Sequence, residues 1–189
     1  MNKQVIKLAA IAVAGTAITA SAALAQVKLP PTITMTAYDT GTSGFNMTVA
    51  IGKMMKDKYG ADARVLPAGN DVARLAPLKG NRAQVASMGT GTFFAMEGLY
   101  EFGSKEWGPQ AVQLLLSSMD CNGANLGIAA DAGVKEMKDL KGKRVGFVVG
   151  SPALNQNSLA VLAFGGLTQN DVKAVEFASY GAMWKGLVN

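Results

Sequence analysis

Four times along this chain a short strand-like run ends in a loop of Gly, Ser, Thr or Asn that opens straight into a helix-like run. Residues 32–37 lead into Thr40-Gly41-Thr42-Ser43-Gly44 and a helix over 45–58. Residues 64–67 lead into Ala68-Gly69-Asn70-Asp71 and a helix over 71–79, and residues 84–88 into Gly89-Thr90-Gly91-Thr92 and a short helix over 93–98. Residues 145–149 lead into Gly150-Ser151-Pro152-Ala153-Leu154-Asn155 and a helix over 156–164. Strands separated by helices need crossover connections, so the pattern predicts an α/β protein with mostly parallel sheets. The chain carries 22 glycines in 189 residues, where average usage would give about 13. Much of that excess lies in the turns after strands.

The remaining segments fill in the rest of the architecture. Gly60 ends the first helix and Asn70 caps the second. The first helix is predicted to bury Val49, Ile51, Met54, Met55 and Tyr59. A looser stretch over 101–110 precedes a fourth strand at 112–118. The polar, Gly/Asn-rich run 119–125 breaks the rhythm and marks a crossover, which divides the chain into a first lobe (26–126) and a second (127–189). In the second lobe 126–130 reads as a strand, 134–140 as a short helix, Thr168-Gln169-Asn170-Asp171 as a helix-start box, 175–178 as a strand and 180–188 as a helix.

Residues 1–25 read as a leader. Lys3 and Lys7 precede an apolar run over 8–18, and small residues occupy Ala23 and Ala25, the pattern of an export signal cleaved after Ala25. The apolar run is shorter than the roughly 20 residues that span a bilayer. Export places the mature chain in the periplasm. The formal net charge of +5 falls when Lys3 and Lys7 leave with the leader, and no block of five or more basic residues points to nucleic acid. Cys121 is the one cysteine and reads as a small buried hydrophobe.

Histidine is absent, which removes the commonest general base and the commonest metal ligand together. One cysteine cannot build a thiolate zinc site. No phosphate loop, complete dinucleotide fingerprint or Gly-x-Ser-x-Gly nucleophile turn occurs. The sequence therefore predicts a binding protein with no catalytic residue, metal or cofactor.

In open α/β sheets ligands sit beyond the carboxyl ends of strands. Loops there that are rich in hydroxyls, amides and helix-start N–H groups make a cradle for an anionic or strongly polar group. The alternative is that each loop needs glycine only to turn and Ser, Thr or Asn only to cap. Asp39, Asp71 and Asp131 read as cap or turn residues, and Arg64, Arg74, Arg82 and Arg144 as surface charges able in principle to clamp a carboxylate. Tyr38 is the aromatic best placed for a pocket wall, whereas Trp107, Trp184 and Tyr180 read as packing residues.

Several of these pieces together resemble the solute-binding subunits of TRAP transporters of the TAXI family. They are Thr36-Ala37-Tyr38-Asp39-Thr40-Gly41-Thr42-Ser43-Gly44, the run from Arg64 through Gly69-Asn70-Asp71 to Leu78, Ala130-Asp131-Ala132-Gly133-Val134-Lys135, Asp139-Leu140-Lys141-Gly142-Lys143-Arg144-Val145, and Val148-Val149-Gly150-Ser151-Pro152-Ala153-Leu154-Asn155. The resemblance implies a type II periplasmic-binding fold, two α/β lobes closing on a ligand, with the second lobe incomplete because relatives continue further. It implies a small organic anion or amino acid as ligand, such as glutamate or a related dicarboxylate, and delivery to a membrane permease. The cleft wall it implies is Tyr38, Thr42, Ser43, Gly44 and Phe45 from the first turn, Gly69 and Asn70 from the second, Gly89, Thr90 and Gly91 from the third, and Ser151, Ala153 and Asn155 from the opposite lobe. Many relatives carry an aromatic pair where this chain has Phe45-Asn46, which bears on ligand identity. A receptor for an ABC-type permease or sensor, or a transferase on a similar fold, are the rival readings.

Overall fold

The computed structural model describes residues 28–117 and 126–188. The leader, Cys121 and the crossover at 119–125 lie outside them. Two parallel sheets organise the described chain, in agreement with the α/β class. The first has the order β2-β1-β3, with β1 (Thr32–Ala37) central between β2 (Asp62–Pro67) and the two-residue β3 (Val85–Ala86). Register runs from Thr32 opposite Asp62 to Ala37 opposite Pro67, and places Met35 opposite Val85. The second sheet pairs β4 (Arg144–Val148) with β5 (Lys173–Phe177).

Helices follow the strands. Helix α1 (Ser43–Tyr59) starts at Thr42, whose hydroxyl accepts the N–H of Phe45, and stops at Gly60 in the left-handed conformation. An L residue with a side chain would be strained there. Helix α2 (Asp71–Lys79) is capped by Asn70, whose Oδ1 accepts the N–H of Ala73 at 2.7 Å. Helices α3 (Gly91–Glu97), α4 (Pro152–Phe164) and α5 (Tyr180–Val188) complete the set. The box at 168–171 is present, with the Asp171 carboxylate accepting from both the N–H and the hydroxyl of Thr168, though it opens a single 3-10 turn.

Three expectations fail. Residues 112–117 and 126–129 have no strand pairing, because a strand exists only where a neighbour takes its hydrogen bonds. The short helix expected over 134–140 shrinks to the 3-10 turn Met137–Leu140. Helix α1 leaves Val49, Met54 and Tyr59 exposed and buries Thr48 and Gly52 instead. Ile51 and Met55 of the predicted face do pack on the core, and a Cβ on Gly52 would lie 2.5 Å from Ala63 Cβ, so helix and strand approach most closely through their smallest residues.

Each sheet has its own apolar core. Ile33, Met35 and Ala61 pack beneath α1, and Leu140, Val145, Phe147, Leu162, Leu167 and Val172 form the second core. A third cluster, Leu75, Phe94, Ala95, Phe102 and Ala153, combines residues of α2, α3 and the 3-10 turn after α3 with the start of α4. That shared cluster brings the strand-end loops of the two lobes face to face.

Candidate functional site

The loops that follow β1, β2, β4 and β5 meet at the lobe junction, and the contacts there are polar. Asp71, first residue of α2, aims its carboxylate across the junction. Its Oδ2 accepts the N–H of Ala153 in the first turn of α4 at 2.9 Å, and its Oδ1 accepts from Arg74 Nη2 one turn along its own helix. Asp39, just after β1, does the same for α5: its Oδ2 accepts the N–H of Gly181 at 2.6 Å. Both carboxylates thus occupy helix starts in the opposite lobe, where free N–H groups and the helix dipole favour negative charge. Backbone bonds reinforce them: Val72 N–H to Gly150 O at 3.0 Å, and Tyr180 N–H to Gly69 O at 3.0 Å.

Arg74 is fully buried, at 0% exposure, so the surface reading of it is overturned. Its Nη1 donates to Ala68 O at 3.0 Å and its guanidinium lies 3.8 Å from the centre of the Tyr38 ring. An arginine is buried this way when a carboxylate, a carbonyl and an aromatic face together replace its water. Two buried polar atoms here have no hydrogen-bond partner, Arg74 Nε and Ser151 Oγ. Tyr38 is largely buried, and that burial pushes its phenol pKa above 10.0. The nearby Arg74 charge pulls the other way, Asp71 adds to the rise, and a hydrogen bond with the backbone of Gly89 opposes it.

The glycines of the loops let these groups approach. A Cβ on Gly44 would land in the Tyr38 ring, one on Gly89 would lie 3.2 Å from the Tyr38 hydroxyl, and one on Gly91 would lie 2.8 Å from Asp71 Cγ. Gly69 sits against Ser179 and Asp39. The structure therefore gathers Tyr38, Gly44, Gly89, Gly91, Ser151 and Ala153 around the Asp71–Arg74 pair, and Gly69 and Asn70 against the start of α5.

The other candidates hold the loops in shape. Thr42 caps α1 and donates its hydroxyl to Asp39 O at 2.8 Å. Ser43 is exposed, Phe45 is half-buried in the first turn of α1, and Thr90 starts α3 without a side-chain capping bond. Asn155 uses its whole amide on the backbone of Val148, Oδ1 accepting the N–H and Nδ2 donating to the carbonyl, both at 2.9 Å. Asp39, Asp71 and Arg74 were missed as central residues. The i, i+3 spacing of Asp71 and Arg74 places them on one helix face and was legible. That Asp71 and Asp39 reach helix starts 82 and 142 residues further on was not. No group of three or more potential metal ligands occurs among the described residues.

Solved structures of two periplasmic binding proteins resemble this one. The aliphatic sulphonate binding protein SsuA of Escherichia coli aligns over 84% of this chain and 49% of its own, at 18% identity and a TM-score of 0.48. The alkanesulfonate-binding SsuA of Xanthomonas axonopodis pv. citri, bound to MOPS, aligns over 80% and 49%, at 17% identity and a TM-score of 0.48. The chain therefore spans about half the length of these structures. No curated protein matches the sequence significantly. The NMT1/THI5-like family model matches residues 68–188, a stretch that runs from the β2–α2 loop to the end of α5 and includes Asp71, Arg74, Ser151 and Ala153. That match covers well over half of the chain, which belongs to the NMT1/THI5-like family.

Proposed function

We propose that the protein is a periplasmic solute-binding receptor that takes a small organic anion at the lobe junction and hands it to a membrane permease. The observation that carries this reading is the pair of helix starts at Ala153 and Gly181, each already holding a carboxylate from the facing lobe. A site that binds Asp71 and Asp39 has the donors to bind a ligand's carboxylate or sulfonate in their place. The unpartnered Ser151 hydroxyl and Arg74 Nε supply further donors at the same junction. Binding works without bond making: a ligand that touches both lobes shifts the balance between open and closed arrangements by its differential affinity for the two.

Glutamate or a related dicarboxylate as ligand, and a TRAP-type permease as partner, rest on the resemblance of the strand-end motifs. A panel of dicarboxylates, acidic amino acids and alkanesulfonates tests the site through the thermal unfolding midpoint. A ligand that binds the native state at 100 times its Kd adds about 2.7 kcal/mol. Ser151→Ala should weaken binding; unchanged affinity in that variant would remove the junction from consideration, and a midpoint blind to the whole panel would remove the anion.

A further inference from the structure

The junction between the lobes has two sides that are held differently. On the α4 side Asp71 Oδ2 accepts the N–H of Ala153 at 2.9 Å, and Val72 donates its N–H to Gly150 O at 3.0 Å. Asp71 is also paired with Arg74, both side chains being buried, and Ala153 belongs to an apolar cluster with Leu75, Phe94, Ala95 and Phe102. Displacing Asp71 would strand the Arg74 charge, and parting the lobes there would expose that cluster to water. This side is fixed.

The α5 side lacks those supports. Asp39 is half-buried, and its carboxylate makes one hydrogen bond among the described residues, to the N–H of Gly181 at 2.6 Å. Two other polar contacts lie beside it, Tyr180 N–H to Gly69 O at 3.0 Å and Asn70 Nδ2 to Ala178 O at 3.4 Å. Among the described residues no ion pair and no apolar cluster joins α5 to the first lobe. The carboxylate fits because Gly69 and Gly181 have no side chains: a Cβ would lie 2.8 Å from its Oδ1 at Gly69 and 2.9 Å from its Oδ2 at Gly181. A carboxylate held by an amide, with no cation beside it, exchanges readily for another, since the incoming group restores the one bond that is lost.

We propose that Asp39 is an autoinhibitory occupant of the receptor's own anion position. Without ligand its carboxylate keeps the start of α5 docked on the first lobe, and a ligand carboxylate takes the Gly181 N–H by displacing it. This rests on the reading of the lobe junction as an anion receptor. The fixed α4 side is the pivot, about which the second lobe turns to free the start of α5. The apparent Kd for ligand is then the intrinsic one divided by the fraction of molecules in which Asp39 has left the position.

Residue-resolved amide exchange on the full chain without ligand tests the contact in Asp39→Ala. The Tyr180 amide is the reporter, because its own acceptor, Gly69 O, is left in place. It should exchange about tenfold faster in the variant, as the loss of one hydrogen bond to a charged group implies, while Val72 and Ala153 keep the parent's rates. An unchanged rate at Tyr180 overturns the proposal, and so does equal acceleration at all three amides, which would leave no fixed side. Calorimetric titration with L-glutamate and with glutarate reads the displacement: the Kd should fall about tenfold from parent to Asp39→Ala. Equal or weaker binding by the variant overturns the proposal, weaker binding making Asp39 a group that holds the ligand. Asp39→Asn keeps a neutral acceptor of the same shape, should show both changes in smaller measure, and serves in place of Asp39→Ala if that variant does not fold. Binding by neither parent nor variant overturns the receptor reading and the displacement with it, whereas the exchange rates decide the Asp39 contact by themselves.

Discussion

Asp71 Oδ2 accepts the N–H of Ala153 at 2.9 Å, joining the first turn of α2 in one lobe to the first turn of α4 in the other. The same carboxylate neutralises Arg74, so one side chain serves both the charge balance of its own lobe and the contact between lobes. Side-chain exposure of 1% at both Asp71 and Arg74 puts this pair in the regime where removing one partner costs far more than a surface ion pair is worth.

Replacing Asp71 with Ala strands the Arg74 charge in an apolar setting and frees the Ala153 amide. Chemical denaturation should show a loss of about 3–5 kcal/mol, and the double variant Asp71→Leu/Arg74→Met should recover most of it. Equal losses in the single and double variants would mean that the pair is not what the junction depends on.

Gly69 tests the approach of the lobes directly. A Cβ there would fall on the Ser179 side chain and lie 2.8 Å from Asp39 Oδ1. Gly69→Ala should therefore cost about 1–3 kcal/mol. Hydrogen exchange should speed up at the Gly181 amide, whose acceptor Asp39 is the group displaced. Slow exchange preserved at Gly181 would place the strain elsewhere.

Acid should weaken the second lobe through two half-buried carboxylates. The backbone N–H groups of Lys135 and Glu136 hold the Asp139 pKa below its ordinary value of 3.8. The N–H and hydroxyl of Thr168 do the same for Asp171. A folded pKa below the unfolded one means that the folded state binds fewer protons, so the contribution is present above pH 3.8 and disappears as pH falls below it through the folded values. Asp139→Asn/Asp171→Asn should flatten stability against pH in that window, read from denaturant midpoints between pH 5 and about pH 2.

At the other end of the pH scale the relevant group is Tyr38. Its phenol pKa is raised above 10.0 by burial, so the folded state keeps the proton that the unfolded chain releases. Stability present below pH 10 is then lost as pH rises through the folded value. Tyr38→Phe, which has no proton to lose, should show a shallower decline in denaturant midpoint between pH 9 and 12.

Much of the local structure was legible. Alternation gave β1, spacing gave α2 with Asn70 as its cap, and Gly60 gave the end of α1, because each depends on residues within a few positions. The strands expected at 112–118 and 126–130 do not form over the described residues 112–117 and 126–130, since alternating or continuous apolar residues state what a strand would bury and not whether a neighbour is there to pair with it. The candidate loops were found by composition, and six of their residues gather round one buried pair. Their centre was misread: Arg74 looks like any helix-surface arginine until Tyr38, Ala68 and Asp71 close over it.

By itself the sequence determined the α/β alternation, the turns at strand ends and the helix caps, all of which follow from backbone preferences and hydrogen bonds across a few residues. Only the tertiary structure decided where the helix starts of the second lobe find their counter-charges. Asp39 and Asp71 reach Gly181 and Ala153 across most of the chain, and an unsatisfied N–H is met by whichever acceptor the folded packing brings to it, not by the nearest one in sequence.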